Sequence, residues 1–221
     1  MAITNYSELK NAVQNWIGRT DSDFINRVDE FIDLTEDRIH YGFGEPGDQY
    51  YSAPLRIRGM ETTGTLTING QTIAVPTGFL EERRIYLNTD PKNDLVYLPP
   101  DRFWASTAGS RSAGGKPVMY TIEGSNFIFA PSPDATYSGK VLYAKKMDAL
   151  SNSTPTNWLI TNAPSVYLYG ALHEAMIWDY NDEGALKYIN LYNGKINALA
   201  RQDRLSKTGG GSLSQRPDKV A

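Results

Sequence analysis

The chain has 221 residues, enough for one large domain or two small ones, and its 22 Lys and Arg against 25 Asp and Glu leave a net charge of -3. That charge gives no electrostatic case for wrapping nucleic acid, and the absence of cysteine excludes a disulfide framework and a cysteine-bearing zinc site. Fourteen tyrosines and four tryptophans supply side chains with one apolar and one polar end, suited to cores and to protein interfaces alike.

Met1-Ala2-Ile3-Thr4-Asn5 lacks the basic start and apolar run of a signal peptide. Asn5 and Glu8 then have the spacing of a reciprocal capping box, and Leu9, Val13, Trp16 and Ile17 follow at helical period up to Gly18. A second helix starts at Asp21 or Ser22 and carries Ile25, Val28, Ile32, Thr35 and Ile39 as one stripe, widened by Phe24 and Phe31. Both are too one-sided to stand alone, so they are expected to pack on helices from the other end of the chain. Gly42, Gly44, Pro46 and Gly47 break the pattern, and Tyr50-Tyr51-Ser52-Ala53-Pro54 reads as a loop with exposed aromatics.

From Glu61 the period shortens to two. Leu66 and Ile68 lead into Asn69-Gly70, a strong hairpin signal, and Ile73 and Val75 return from it. Further strands are expected at 84–87, 95–98, 118–122, 127–130 and 140–145, with turns at Gly124-Ser125-Asn126 and Pro131-Ser132-Pro133-Asp134. Short strands at this spacing predict a small antiparallel barrel or sandwich inserted between helical halves. Ala105 to Lys116, rich in Ala, Gly and Ser, reads as a mobile loop projecting from it.

Pro155 to Arg204 organises the rest. Thr161 or Asn162 can cap a helix whose first turn accepts Pro164, and the run from Val166 to Trp178 is apolar on nearly every face. It falls short of the roughly 20 apolar residues of a membrane span, so it reads as a core or interface helix. Asn181 and Asp182 supply the next cap, after which Ala185, Tyr188, Ile189, Tyr192, Ile196 and Leu199 form one inward stripe. A tight connection makes the pair an antiparallel hairpin. Leu205 to Ala221, centred on Gly209-Gly210-Gly211-Ser212, carries too little apolar surface to offset its ordering and reads as an extended tail that orders on a partner.

Catalytic signals are poor. His40 and His173 are far apart in sequence, and His173-Glu174 reads better as a hydrogen-bonded core or interface residue than as an acid/base pair. Gly114-Gly115-Lys116 fails as a phosphate loop because Ser110 and Pro117 occupy positions that need Gly and Ser or Thr. Asp179, Asn181, Glu183 and Gly184 resemble the start of a calcium loop, but the twelfth position is Asn190. No catalytic, cofactor-binding or metal-binding residue is expected, and the chain reads as a non-enzymatic assembly module.

Several words of the sequence resemble the head-to-tail adaptor, or head completion, proteins of tailed bacteriophages. The most specific are Pro155-Thr156-Asn157-Trp158-Leu159-Ile160, then Ala163-Pro164 and Tyr167 through Ala175; others are Val75 through Glu81, Lys116-Pro117 leading to Tyr120 through Gly124, and Ala130 through Asp134. Tyr6-Ser7-Glu8-Leu9 through Trp16, and Phe31-Ile32 through Arg38-Ile39, also look like that family's first two helices.

The resemblance implies an α+β chain: a helical bundle formed by both chain ends, with a β-rich insert and an extended C-terminal tail. The expected segments are N-terminal bundle helices at 1–43, a loop at 44–60, the insert at 61–148, the helical hairpin at 149–204 and a docking tail at 205–221. It further implies a virion protein of the neck, made in the host cytoplasm, whose copies form a dodecameric ring below the portal. The tail, through Leu205, Gly209, Gly210, Ser212, Leu213 and Arg216, would dock on the portal protein; a tail nozzle or other tail proteins would meet the other face. Double-stranded DNA would pass through the channel without sequence-specific binding, with no membrane and no cofactor involved. Trp158, Pro164, Tyr167, Tyr169, Trp178 and Tyr188 are the expected bundle or interface residues. A carbohydrate- or receptor-binding tail protein using Tyr50, Tyr51 and Trp104, or a cell-wall hydrolase, are the alternatives.

Overall fold

The computed structural model describes residues 2–107 and 114–207. They divide into two compact units, one from the residues before Met60 and after Lys146, the other Met60–Lys146. The architecture is α+β, with helices and two small sheets rather than a closed barrel.

Helix α1 is Tyr6–Ile17. The Asn5 side chain accepts from the Glu8 N–H at 3.0 Å, but the reciprocal arm is shifted by one residue, because the Glu8 carboxylate takes the backbone N–H and hydroxyl of Thr4. Gly18 ends the helix at φ 75°, a left-handed cap that suits glycine. The single second helix expected from the stripe is instead two: α2 is one turn, Ser22–Ile25, capped by Asp21, and α3 is Val28–Tyr41. The amides of Asn26 and Arg27 return to Ser22 and Phe24, closing the turn before the helix can continue. The chain from Gly42 to Ile57 then lies across the helices as a strap: Phe43 and Ser52 exchange both backbone hydrogen bonds, and Leu55 and Ile57 are buried.

The insert contains β1 (Glu61–Ile68), β2 (Thr72–Ala74), β3 (Phe79–Leu87), β4 (Asn93–Asp94), β5 (Val96–Tyr97), α4 (Pro100–Thr107), β6 (Met119–Glu123), β7 (Asn126–Ala130) and β8 (Tyr137–Lys145). Its sheets have the orders β1-β8-β3-β4 and β2-β7-β6-β5, antiparallel except for the β5–β6 pair, which is parallel. Leu66, Ile68, Ile85 and Val141 from the first sheet meet Tyr120, Phe127 and Phe129 from the second in one core, so the insert is a sandwich.

Asn69-Gly70 does not close the expected hairpin. β1 pairs with β8 and β2 with β7, so this turn carries the chain from one sheet to the other. Neither residue has the positive φ that a tight two-residue hairpin requires. The two-residue hairpin loop is Gly124-Ser125, between β6 and β7, with Gly124 at φ 58°. The projecting loop expected at 105–116 is also corrected. Ala105–Thr107 belong to α4, whose Phe103 packs on Ile128 and Ala130; Gly115 donates to the Ser132 carbonyl, and residues 108–113 lie outside the described residues. β7 is therefore buried on both faces, Phe127 and Phe129 between the sheets and Ile128 and Ala130 beneath α4.

After Lys146 the chain returns to the helical unit as α5 (Trp158–Asn162), α6 (Pro164–Trp178) and α7 (Asp182–Lys207). Asn157 caps α5; Thr161 and Asn162, expected to cap the next helix, instead bond back to the carbonyls of Asn157 and Trp158, and Pro164 starts α6 with no side-chain cap. α6 packs against α1, α3 and α7, which is why it is apolar all round. Gly170 sets its approach to α3, since a Cβ there would lie 2.3 Å from the Thr35 methyl. α7 runs unbroken through the expected end at Arg204 to Lys207, about 39 Å along its axis.

Candidate functional site

Three features of the helical unit stand out from ordinary packing. The first is a buried polar network. Arg38, 5% exposed, donates from Nε and Nη2 to Glu174, 11% exposed, at 2.9 and 2.7 Å, and from Nη1 to the Tyr50 carbonyl and the Ser52 hydroxyl. One guanidinium thereby ties α3, α6 and the strap together, with Phe43 stacked over it at 4.5 Å. His173 lies alongside: its Nδ1 donates to the Ala185 carbonyl at 2.9 Å, and the Tyr50 ring packs edge-on against it. Burial, reinforced by the Arg38 charge, lowers its pKa from the usual 6.5, outweighing the Ala185 hydrogen bond and Glu174. Glu36, also buried, accepts from the Leu150 N–H and the Tyr167 hydroxyl, while the His40 Nε2 accepts from the Met147 N–H. The segment entering α5 is thus fastened to α3 by side chains whose spacing in sequence gives no hint of it.

The second feature is an open groove of about 310 Å³ beside the last turns of α7. Ile57, Gly59, Trp158 and Leu199 supply its apolar surface. The Trp158 ring is 40% exposed and lies across Gly59, where an added Cβ would come within 2.7 Å of the indole. Asn162, Gln202 and Ser206 give the rim its hydrogen-bonding groups. Asp203 accepts from the Arg58 N–H and pairs with Lys207 at 2.8 Å; although partial burial works the other way, these partners hold its carboxyl below the usual range.

The third feature is the turn between α6 and α7. Tyr180 is 95% exposed and sits at φ 55°, the only non-glycine positive φ among the described residues. Its N–H returns to Ile177 and that of Asn181 to Met176, the two bonds of a Schellman cap with Tyr180 where glycine is usual. Asn181 caps α7 through the Gly184 N–H, and Asp179 pairs with Arg19 at 2.6 Å. The calcium-loop resemblance is therefore a helix-to-helix turn in which Asp179 is engaged in pairing and Asn181 in capping.

The expected interface residues are distributed rather than gathered. Tyr167 is fully buried and bonded to Glu36 and Asn157; Tyr188 is buried and Pro164 half-buried. Trp178 packs on Phe24 and Phe31 beneath the guanidinium groups of Arg19 and Arg27, and Tyr169 meets the exposed Trp16 edge-on. Leu205 is exposed in the last turn of α7, while Gly209, Gly210, Ser212, Leu213 and Arg216 lie outside the described residues.

The three aromatics of the sugar-binding alternative are each half-buried, and the side chains of Tyr50 and Trp104 are engaged. Tyr50 bonds to Asp182 and packs on His173, the Tyr51 carbonyl accepts from Asn193, and the Trp104 indole N–H donates to Glu123. Among the described residues no group of three or more His, Asp or Glu is placed to hold a metal, and no helix is long and apolar enough to cross a membrane. The groove and Tyr180 were missed in sequence; a tyrosine at a helix-ending position was the one available sign.

One nearly buried ion pair, Arg38–Glu174, locks the helical unit, and Trp16, Trp158 and Tyr180 are exposed on it. The family model for the SU10 adaptor protein matches residues 4–216, and the chain belongs to that family of phage head-to-tail adaptors. No curated protein matches the chain significantly. Membership makes it a structural bacteriophage protein and implies a non-enzymatic role.

Proposed function

We propose that this protein occupies the neck of a tailed phage virion, where its copies form a dodecameric ring joining the portal protein to the tail nozzle or other tail proteins. The family match over nearly the whole chain carries this reading. It is supported by α7, whose roughly 39 Å length delivers the C-terminal segment well away from the α6–α7 turn. In this reading the helical bundle from both chain ends forms the ring wall, and the segment from Leu205, including Gly209, Gly210, Ser212, Leu213 and Arg216, docks on the portal. Ordering such a segment against a large partner is favourable where many contacts form at once. Double-stranded DNA passes through the ring without sequence-specific binding, consistent with a net charge of -3. The chain is made in the host cytoplasm and assembles there.

Co-sedimentation with the cognate portal ring tests this, comparing the full chain with one ending at Lys207. Binding of the full chain alone supports both the adaptor role and the docking segment. Binding of both assigns the portal contact to the helical unit, and binding of neither overturns the reading.

A further inference from the structure

We infer that Asn69 is a site of spontaneous deamidation, an amide-to-carboxylate conversion that lengthens the turn between the two sheets and loosens β2. The chain has two Asn-Gly pairs, Asn69-Gly70 and Asn193-Gly194. The chemistry requires a reachable side-chain amide, a following backbone nitrogen able to attack it, and no side chain crowding that nitrogen. Asn69 is exposed, and neither its side chain nor the Gly70 N–H has a hydrogen-bond partner among the described residues. A Cβ added to Gly70 would meet nothing within 4 Å, so this corner stands clear of packing. Asn193 has the same neighbour but none of this freedom. It lies inside α7, its Nδ2 donates to the Tyr51 carbonyl at 2.7 Å, and the helical ladder holds the Gly194 amide.

In the reaction the Gly70 amide nitrogen, its proton taken by hydroxide, attacks Asn69 Cγ, an attack made intramolecular by the adjacent residues. The new C–N bond closes a succinimide ring, the Cγ–Nδ2 bond breaks, and the side-chain nitrogen leaves as ammonia with a proton from water. Water then opens the ring, giving aspartate when it attacks at Cγ and isoaspartate when it attacks at the α-carbonyl. Either product adds one negative charge. Isoaspartate also routes the main chain through Cβ and Cγ, inserting one carbon–carbon bond of about 1.5 Å. Only residues 69–71 separate β1 from β2, so the added link shifts a strand end. β1 pairs with β8 along its whole length and buries Leu66 and Ile68, whereas β2 has three residues and buries none of them fully. β2 therefore yields first. With it go the Gln71 carbonyl, which accepts from the Phe129 N–H at 2.8 Å, and the cover that Ile73 gives the sandwich core.

The test incubates the full chain at pH 8.5, folded and in urea. Mass spectrometry follows the tryptic peptide 59–83, and isoaspartate is counted by enzymatic methyl transfer to its carboxylate. In the folded chain Asn69 is expected to convert at least tenfold faster than Asn193, while in urea the two convert at similar rates. Gly70→Ala slows the conversion at least tenfold and Asn69→Gln abolishes it, neither lowering the melting temperature, because Gly70 lacks a positive φ and neither position is packed. In the isoaspartyl fraction, hydrogen exchange loses protection at β2 and the Phe129 amide while β1 keeps its own. Asn69 that converts in urea but stays intact in the folded chain overturns the site, as does Asn193 converting equally fast when folded. Unchanged protection at Phe129 in the isoaspartyl fraction overturns the loosening of β2. None of these outcomes depends on the adaptor reading, which portal co-sedimentation tests separately.

Discussion

Replacing Arg38 by methionine removes the cation that joins α3, α6 and the strap. The Glu174 carboxylate, 11% exposed, is left without its partner, and the Tyr50 carbonyl and Ser52 hydroxyl lose a donor. Breaking a buried pair from one side costs about 3–5 kcal/mol, because the remaining charge stays buried and uncompensated. For a protein of this size that corresponds to a fall in melting temperature of roughly 6–20 °C. Removing both charges with Arg38→Met and Glu174→Leu eliminates the stranded carboxylate, so the double variant is expected to recover at least half of the loss. Thermal denaturation followed by far-ultraviolet circular dichroism measures both. Limited proteolysis at the strap should accelerate in the single variant before global melting. A loss under about 1 kcal/mol for Arg38→Met, or a double variant no better than the single, would refute the view that this pair fastens the strap.

His173 gives a pH signature. Its folded pKa lies below the unfolded value of 6.5, so its contribution to stability is complete above that pH and is lost as the pH falls below it, where the unfolded chain takes up a proton that the folded one does not. His173→Gln should therefore show a shallower loss of melting temperature between pH 7.5 and 5.5, and identical slopes would exclude the effect. Gly170→Ala forces a methyl within 2.3 Å of Thr35 and should destabilise by about 1–3 kcal/mol in a denaturant titration. Thr35→Ser removes the opposing methyl, and its failure to restore stability in the Gly170→Ala background would show that α3 and α6 are not limited by this approach.

What the sequence made legible was local. Asn5 with Glu8 and the glycine at 18 mark both ends of α1, and the unbroken apolar run of α6 announces a helix covered on every side. The break at Asn26-Arg27 was hidden because the apolar stripe continues through it, although Ile25 proves exposed. Asn69-Gly70 misled because the residues that pair with β1 and β2 lie far along the chain, in β8 and β7, and those non-local partners outweigh a turn preference. α4 was missed for the same kind of reason: its Ala, Ser and Thr residues look like loop, and only the apolar face of Ile128 and Ala130 gives Phe103 somewhere to pack. The groove needs Gly59 and Trp158 side by side, a pairing that no periodicity encodes.

Arg38 and Glu174 lie 136 residues apart, and this separation matters during synthesis. At about 5–20 residues per second, α3 leaves the ribosome roughly 7–27 s before the helix that supplies its counter-charge. The β sandwich between them has its own core and can be finished in that interval, while Phe31 and Ile32 wait for α6. A nascent or prematurely terminated chain consequently presents a folded insert but no completed helical unit. Only a chain translated through α6 carries both halves of the ion pair that fastens the strap, so the helical unit is completed last although its first helices are made first.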